Sequence, residues 1–387
     1  KFSRDSVTTI EISDNIYKSV SEEIIKHPEG LITAGPSDFP AYFRNELIKL
    51  SRITGYPILA DGASQLRFGN INNNVIVNYD ALFRCGYFQK NKPSVIIHFG
   101  STMTSKGYED FIMNYTGSKY LVNRYDEVFD PAGRYNELIP SDEEKFITAL
   151  ISRFGNFRRE NSEWLSSVRK ADTAVCHLKE KFIHTSAFPD ESRIITEVLE
   201  LLPDNSNLML SNSSPVRDFD YFAELTGKNI HVFHNRGASG IDGITSTALG
   251  IAAHGEMTVL ITGDLAFYYD MNGLLAGRNY NIPLIIILIN NNGGGIFKTL
   301  PVSGYPEFFD KYFTTPHNLL FENIVKAYGA DYTEINNWEE LRNKFKEAEK
   351  RNRISVLEIR TDSGESLLRR KKFWNMTEEI FNDNSAF

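Results

Sequence analysis

The sequence predicts an α/β protein made of two doubly wound parallel-sheet domains. Three observations predict it. Short apolar runs alternate with amphipathic helical stretches, that rhythm lapses once and restarts, and 387 residues are long for a single core. Strands sandwiched between helices must be apolar on both faces, so they read as continuous apolar runs rather than as alternation.

In the first half, GLITAG (30–35), YPILAD (56–61), SVIIHFG (94–100) and KYLVNR (119–124) read as strands. Between them, FPAYFRNELIKLSRIT (39–54) and residues 79–89 carry helical periodicity. Residues 163–186 form one long solvated helix leading to the second half. The boundary is drawn near residue 187, where FPDES supplies a proline and a helix-start signal, giving domains 1–186 and 187–387. The second set of strands is NLMLS (207–211), NIHVF (229–233), MTVLITGD (257–264), PLIIILIN (283–290) and ISVLEIR (354–360). The end of the chain reads as a helix with a polar tail, and its basic run Arg369–Lys372 as a solvated face.

Composition narrows the function. A net charge of −8 argues against nucleic acid or a membrane surface as a general partner, since both need a cationic face. A local basic pocket for a small anion stays open. Cys85 and Cys176 are far apart and read as reduced thiols of a cytoplasmic protein. No apolar run reaches the roughly 18 residues of a membrane span. The chain starts at Lys1 with KFSRDSVTT, neither an initiator Met nor a signal peptide, so it is expected to be a piece of something longer. None of the eight histidines pairs at metal-ligand spacing.

The chemistry concentrates between residues 263 and 297. In ITGDLAFYYDMNGLL a buried strand ends in Gly263-Asp264 and a helix follows. Ligands of open α/β sheets sit outside the carboxyl ends of strands, which is where Asp264 falls. The N–H groups of Leu265 and Ala266 are expected to point outward there and favour an anion. A carboxylate beside a bound phosphate implies a cation between them; otherwise Asp264 is a helix N-cap. The next strand, in IIILINNNGGGIF (285–297), ends at Asn291 and Gly293. Carboxylate, amide oxygen and backbone carbonyl together suit Mg2+, or Mn2+ in its place. The glycines let the backbone approach a ligand, with Gly294 giving it room. Asn290 and Gly295 receive no role.

A Gly-Asp followed one βα unit later by Asn-Asn after an apolar strand resembles the thiamine diphosphate enzymes, although Leu265 stands where many members carry a third-position Gly. SNSSPVRDFDYF (211–222), HNRGASGIDGITSTALGIA (234–252), GDLAFYYDMNGLL (263–275) and INNNGGGIFKTLP (289–301) together are similar to one branch of them, the 2-succinyl-5-enolpyruvyl-6-hydroxy-3-cyclohexene-1-carboxylate (SEPHCHC) synthase family of menaquinone biosynthesis. YDALFR (79–84) and GSTMTSK (100–106) resemble its middle domain. The resemblance implies a Rossmann-like middle domain, a diphosphate-binding domain, and thiamine diphosphate held through Mg2+ on Asp264, Asn291 and the Gly293 carbonyl. It also implies decarboxylation of 2-oxoglutarate and transfer of the resulting unit to isochorismate. Both substrates are dianions, which arginine forks match. By resemblance Arg217, Arg236 and Ser213 meet substrate, Asn212 and Asn235 shape the same wall, and Lys106 faces the second substrate. Gly107 is Arg in some members, so isochorismate is held differently here. Ser239 and Gly263 border the cofactor, Ile241 props it, and Ile296, Phe297 and Leu300 form a dry wall.

The family's activating Glu lies in an N-terminal pyrimidine-binding domain, which this stretch does not show. The chain is therefore expected to be inactive alone and to belong to a homodimer or homotetramer when intact. Arg67 and Arg84, read as loop residues, are candidates for an effector. Two other readings stay open: another thiamine diphosphate lyase, such as an acetohydroxyacid-synthase-like enzyme, and a non-catalytic cofactor-binding module.

Overall fold

A computed structural model describes residues 12–382 except 70, 125–127 and 129. Its strands fall into two six-stranded, all-parallel sheets. The described residues divide into two units: residues up to 66 with 72–174, and residues 67–71 with those from 175 onward. The division falls inside the long helix Glu163–His184.

In the first unit β1 (Gly30–Ala34), β2 (Ile58–Ala60), β3 (Val75–Ile76), β4 (Val95–Phe99), β5 (Ser118–Asn123) and β6 (Glu137–Pro140) lie in the order β3-β2-β1-β4-β5-β6. The helix expected over 79–89 is two, Tyr79–Arg84 and Tyr87–Lys90, parted by Gly86 at φ 78°. Arg84 therefore ends a helix, and its Nε donates to Asp80 at 2.7 Å. Neither Cys85 nor Cys176 forms a disulfide among the described residues.

The second unit contains β7 (Ser206–Leu210), β8 (Ile230–His234), β9 (Thr258–Gly263), β10 (Leu284–Asn290), β11 (Asp331–Glu334) and β12 (Ile354–Arg360), in the order β11-β12-β10-β9-β7-β8. β10 is interior, between β9 and β12, and every residue of LIIILIN is buried. Its isoleucines each contribute roughly 1.5–3 kcal/mol by leaving water. The connection from β8 crosses β7 to reach β9, so the strand order reverses between β7 and β9, the kind of place where open α/β sheets bind ligands.

Two sequence readings change. Arg67 is fully buried, with Nη2 donating to Asp220 Oδ1 at 2.7 Å and Nη1 to the Asp220 and Ala223 carbonyls at 2.9 and 3.0 Å. It ties residues 67–69 into the second unit, where Gly69 N–H also reaches Lys228 O at 2.8 Å, and it cannot meet an effector. Within the basic run, Lys371 and Lys372 are exposed as expected, but Arg369 and Arg370 are partly buried against Asp190, Asp218 and Glu191. Among the described residues no helix is long and apolar enough to cross a membrane.

Candidate functional site

Asp264 follows the last residue of β9, Gly263, and is 2% exposed. Its Oδ2 accepts Gly293 N–H at 2.9 Å, so the loop after β10 closes onto the carboxylate after β9. Oδ1 accepts the N–H of Leu265 at 2.6 Å. That corrects the expectation for Leu265: its N–H turns back onto the neighbouring carboxylate instead of pointing outward. The helix that begins at Asp264 is short. It ends at Asp270, whose carboxylate accepts Ser246 N–H and Oγ–H at 2.6 and 2.9 Å at the start of the helix Ile244–Ala252, and a 3-10 turn, Met271–Gly273, follows. Ala266 is buried in the apolar core of the unit.

Burial pushes the Asp264 pKa up, while the Gly293 and Leu265 N–H groups and His317 oppose the shift. His317 Nε2 lies 3.3 Å from Oδ2. Its Nδ1 accepts Leu319 N–H at 3.0 Å, which leaves the ring proton of the neutral form on Nε2, beside the carboxylate. Asn292, at φ 60°, secures this segment by accepting His317 and Asn318 N–H through Oδ1 at 3.2 and 2.8 Å.

Asn291 lies in the same loop as Gly293. Its Nδ2 donates to Glu191 Oε1 at 3.3 Å, whereas its Oδ1 is shielded from solvent and has no hydrogen-bond partner among the described residues. A shielded amide oxygen without a donor costs about 1–3 kcal/mol unless something else satisfies it. The Gly293 carbonyl accepts Gly295 N–H at 2.9 Å and keeps its second lone pair. A carboxylate, an amide oxygen and a carbonyl are hard oxygen donors, so these residues fit a small divalent cation. Gly293 has φ 135°, and a side chain there would meet the Thr314 carbonyl at 2.1 Å. At Gly294 the room is taken by protein: an added Cβ would lie 2.4 Å from Phe313 O and 2.7 Å from the Phe297 ring.

A polar cluster surrounds the ends of β7 and β8. Asn212 Nδ2 donates to Asn235 O at 3.0 Å and to Gly240 O at 2.6 Å, and its Oδ1 accepts Arg236 Nη1 at 3.5 Å. Arg217 Nη1 reaches Ser213 O at 2.8 Å. Ser213 sits at φ 75° and Ser239, which donates to Arg236 O at 2.9 Å, at φ 56°. Asn235 Nδ2 holds Thr247 Oγ1 at 3.2 Å, and Ile241 packs on the unit's core. Ile296 is half-buried, while Phe297 and Leu300 are 36% and 46% exposed. Lys106 belongs to the first unit, where its ammonium pairs with Glu109 and Asp110 at 3.3 and 3.0 Å.

The fold therefore gathers the Asp264 and β10-loop residues at one pair of strand ends and the arginines at another. Sequence reading missed His317 and Glu191. FPDES pointed to the helix start at Glu191, and nothing in TTPHN pointed to His317.

Two family profiles match: a thiamine pyrophosphate enzyme C-terminal TPP binding domain over residues 223–359, and a middle domain of thiamine pyrophosphate over 12–210. A SEPHCHC synthase of Roseiflexus sp. (strain RS-1) is 35% identical over 93% of this chain and 61% of its own length. Another from Bacillus cytotoxicus is 33% identical over 94% of this chain and 62% of its length. A third from Natronomonas pharaonis is 36% identical over 87% and 56%. The chain thus spans about three-fifths of the relatives it matches.

Proposed function

The chain belongs to the thiamine pyrophosphate enzymes as a homologue of the SEPHCHC synthases, and from that premise we propose that its second unit binds thiamine diphosphate through Mg2+ for the reaction of 2-oxoglutarate with isochorismate. The observation that carries the reading is the unpartnered Asn291 oxygen in the loop that closes onto Asp264. Asp264, Asn291 and the Gly293 carbonyl hold the cation, and Mn2+ serves in its place. When bound, the cofactor supplies the electron sink that lets a 2-oxo acid lose CO2. The protein's task is to position charge and exclude water. Arg217 and Arg236, one beside each of the neighbouring strands β7 and β8, receive the two carboxylates of 2-oxoglutarate, with Ser213, Asn212 and Asn235 fixing the arginine loops. Ile296, Phe297 and Leu300 cover the reacting carbon once substrate is seated, and a dry site strengthens the fixed charges there. Lys106 meets isochorismate.

The paired arginines favour a dicarboxylate over pyruvate, which sets this reading above an acetohydroxyacid-synthase-like one. Calorimetry of thiamine diphosphate binding, with and without Mg2+, tests the core of it. Binding is expected only with Mg2+ and about 100-fold weaker in Asp264→Ala, a loss of about 2.7 kcal/mol. Nucleotide binding that ignores Mg2+ would instead support a non-catalytic module. The 387-residue chain is expected to bind without turning over; CO2 released from 2-oxoglutarate by the purified chain overturns that point.

A further inference from the structure

We propose that Glu191 is a positioning residue that sets which end of the Asn291 amide is offered for metal binding. The inference rests on Asn291 being a metal ligand. An amide's oxygen and NH2 ends are nearly alike in shape, yet only the oxygen binds a hard cation. An ionised carboxylate accepts hydrogen bonds and donates none. Glu191 therefore selects the NH2 end of Asn291, and the oxygen is turned away from it.

Glu191 is itself held on all sides. It is 4% exposed and opens the helix Glu191–Leu201. Its Oε1 also accepts Thr361 Oγ1–H at 2.7 Å, just past β12. Its Oε2 accepts Arg370 Nη2–H at 2.5 Å from the C-terminal helix Ser363–Asn382. Arg370 in turn donates through Nε to Asp218 Oδ1 at 2.6 Å, and Asp218 is 1% exposed. The guanidinium gives the buried carboxylates a counter-charge, so Glu191 is a fixed acceptor rather than a mobile side chain.

The adjacent asparagine shows the same device put to another use. Asn290 Nδ2 donates to buried Glu358 Oε1 at 2.8 Å, and its Oδ1 accepts Asn292 N–H at 3.0 Å. Two consecutive asparagines thus have their NH2 ends fixed by buried acids. At Asn290 the oxygen is consumed by the chain's own turn. At Asn291 no described residue consumes it.

The test is calorimetry of Mg2+ with thiamine diphosphate on the 387-residue chain, comparing wild type, Glu191→Gln, Asp218→Asn and the double variant Glu191→Gln/Asn291→Asp. A glutamine no longer dictates the amide's orientation, so Glu191→Gln is expected to weaken metal-dependent binding about ten-fold or more, as other losses of a ligand's hydrogen-bond partner do. Asp218→Asn disturbs Arg370 but leaves the Glu191–Asn291 contact, and stays within about two-fold of wild type. In the double variant the glutamine NH2 donates to a carboxylate that presents oxygen either way round, and binding recovers to within about three-fold. A merely structural Glu191 would not be rescued by this exchange. Unchanged binding in Glu191→Gln, an equal loss in Asp218→Asn, or no recovery in the double variant overturns the proposal. Absence of any Mg2+-dependent binding to wild type overturns the reading beneath it as well, and is told apart because it needs no variant.

Discussion

Asp61 in the first unit and Asp264 in the second occupy the same station in the same kind of sheet. Each directly follows a parallel strand, β2 or β9, and they are 1% and 2% exposed. Each accepts a nearby N–H, from Ala63 at 2.9 Å or Leu265 at 2.6 Å. Each also accepts one from the loop after another strand, Thr104 at 2.7 Å or Gly293 at 2.9 Å. The difference lies in what the second loop brings. The Thr104 loop brings a donor, and Tyr79 OH adds a long contact at 3.5 Å, so the Asp61 carboxylate ties chain to chain. The Gly293 loop also carries Asn291, with an oxygen that no described residue uses. Thr104 Oγ1 is shielded and without a partner among the described residues too. Neither a buried carboxylate at a strand end nor a lone unsatisfied oxygen is thus by itself a functional signal. What sets Asp264 apart is that its loop carries an amide oxygen and a backbone carbonyl together.

This contrast can be broken. Asp61→Ala is expected to cost about 3 kcal/mol in urea denaturation, because it strands two buried N–H groups. Asp264→Ala strands the Leu265 and Gly293 N–H groups as well, but removes a carboxylate whose charge burial penalises, so it is expected to cost about 1 kcal/mol less than Asp61→Ala and to act on cofactor binding too. Equal stability losses in the two variants would dissolve the distinction.

A second measurement sharpens it through pH. His98, in β4, is buried, and its two ring nitrogens contact Thr33 Oγ1 at 2.8 Å and Ser101 O at 3.0 Å. Burial, with Lys119 nearby, lowers its pKa to about 3. The unfolded chain takes up that proton near pH 6.5, so the contribution is complete above that value and is lost as pH falls toward 3. Stability should drop by about 2 kcal/mol between pH 6.5 and 5, and His98→Asn should flatten this slope. The smallest effect is expected at Lys106. Its ion pairs are exposed and lie within one helix, so Lys106→Ala should change denaturation by less than about 0.5 kcal/mol.

What could be read from sequence follows the range of the interactions involved. The β10 run and its exit at Asn291 and Gly293 are local: five apolar residues fix a buried strand, and the amides and glycines mark its carboxyl end. Strands β3 and β11 escaped notice because one has two residues and the other, Asp331–Glu334, is polar and only partly covered. β6 is short, with Ile139 its one buried residue. The break after Asp270 comes from its bonds to Ser246, which no helical periodicity announces. The brace behind Asn291 joins residues about 100 and 179 positions apart along its two links, so neither Glu191 nor Arg370 carried a local mark. Arg370 looked like part of a solvated basic run for the same reason.

The Arg67 contact has a practical meaning for anyone dividing this gene. A cut at 174/175 looks natural, yet it leaves the arginine with the wrong product. Asp220, 1% exposed, would then lose the guanidinium that faces it. Removing one partner of such a pair costs about 3–5 kcal/mol, a large fraction of what holds an ordinary domain together. The short segment 67–69 therefore acts as a covalent tenant of the second unit, and the two halves of the sequence are not separable by a single cut.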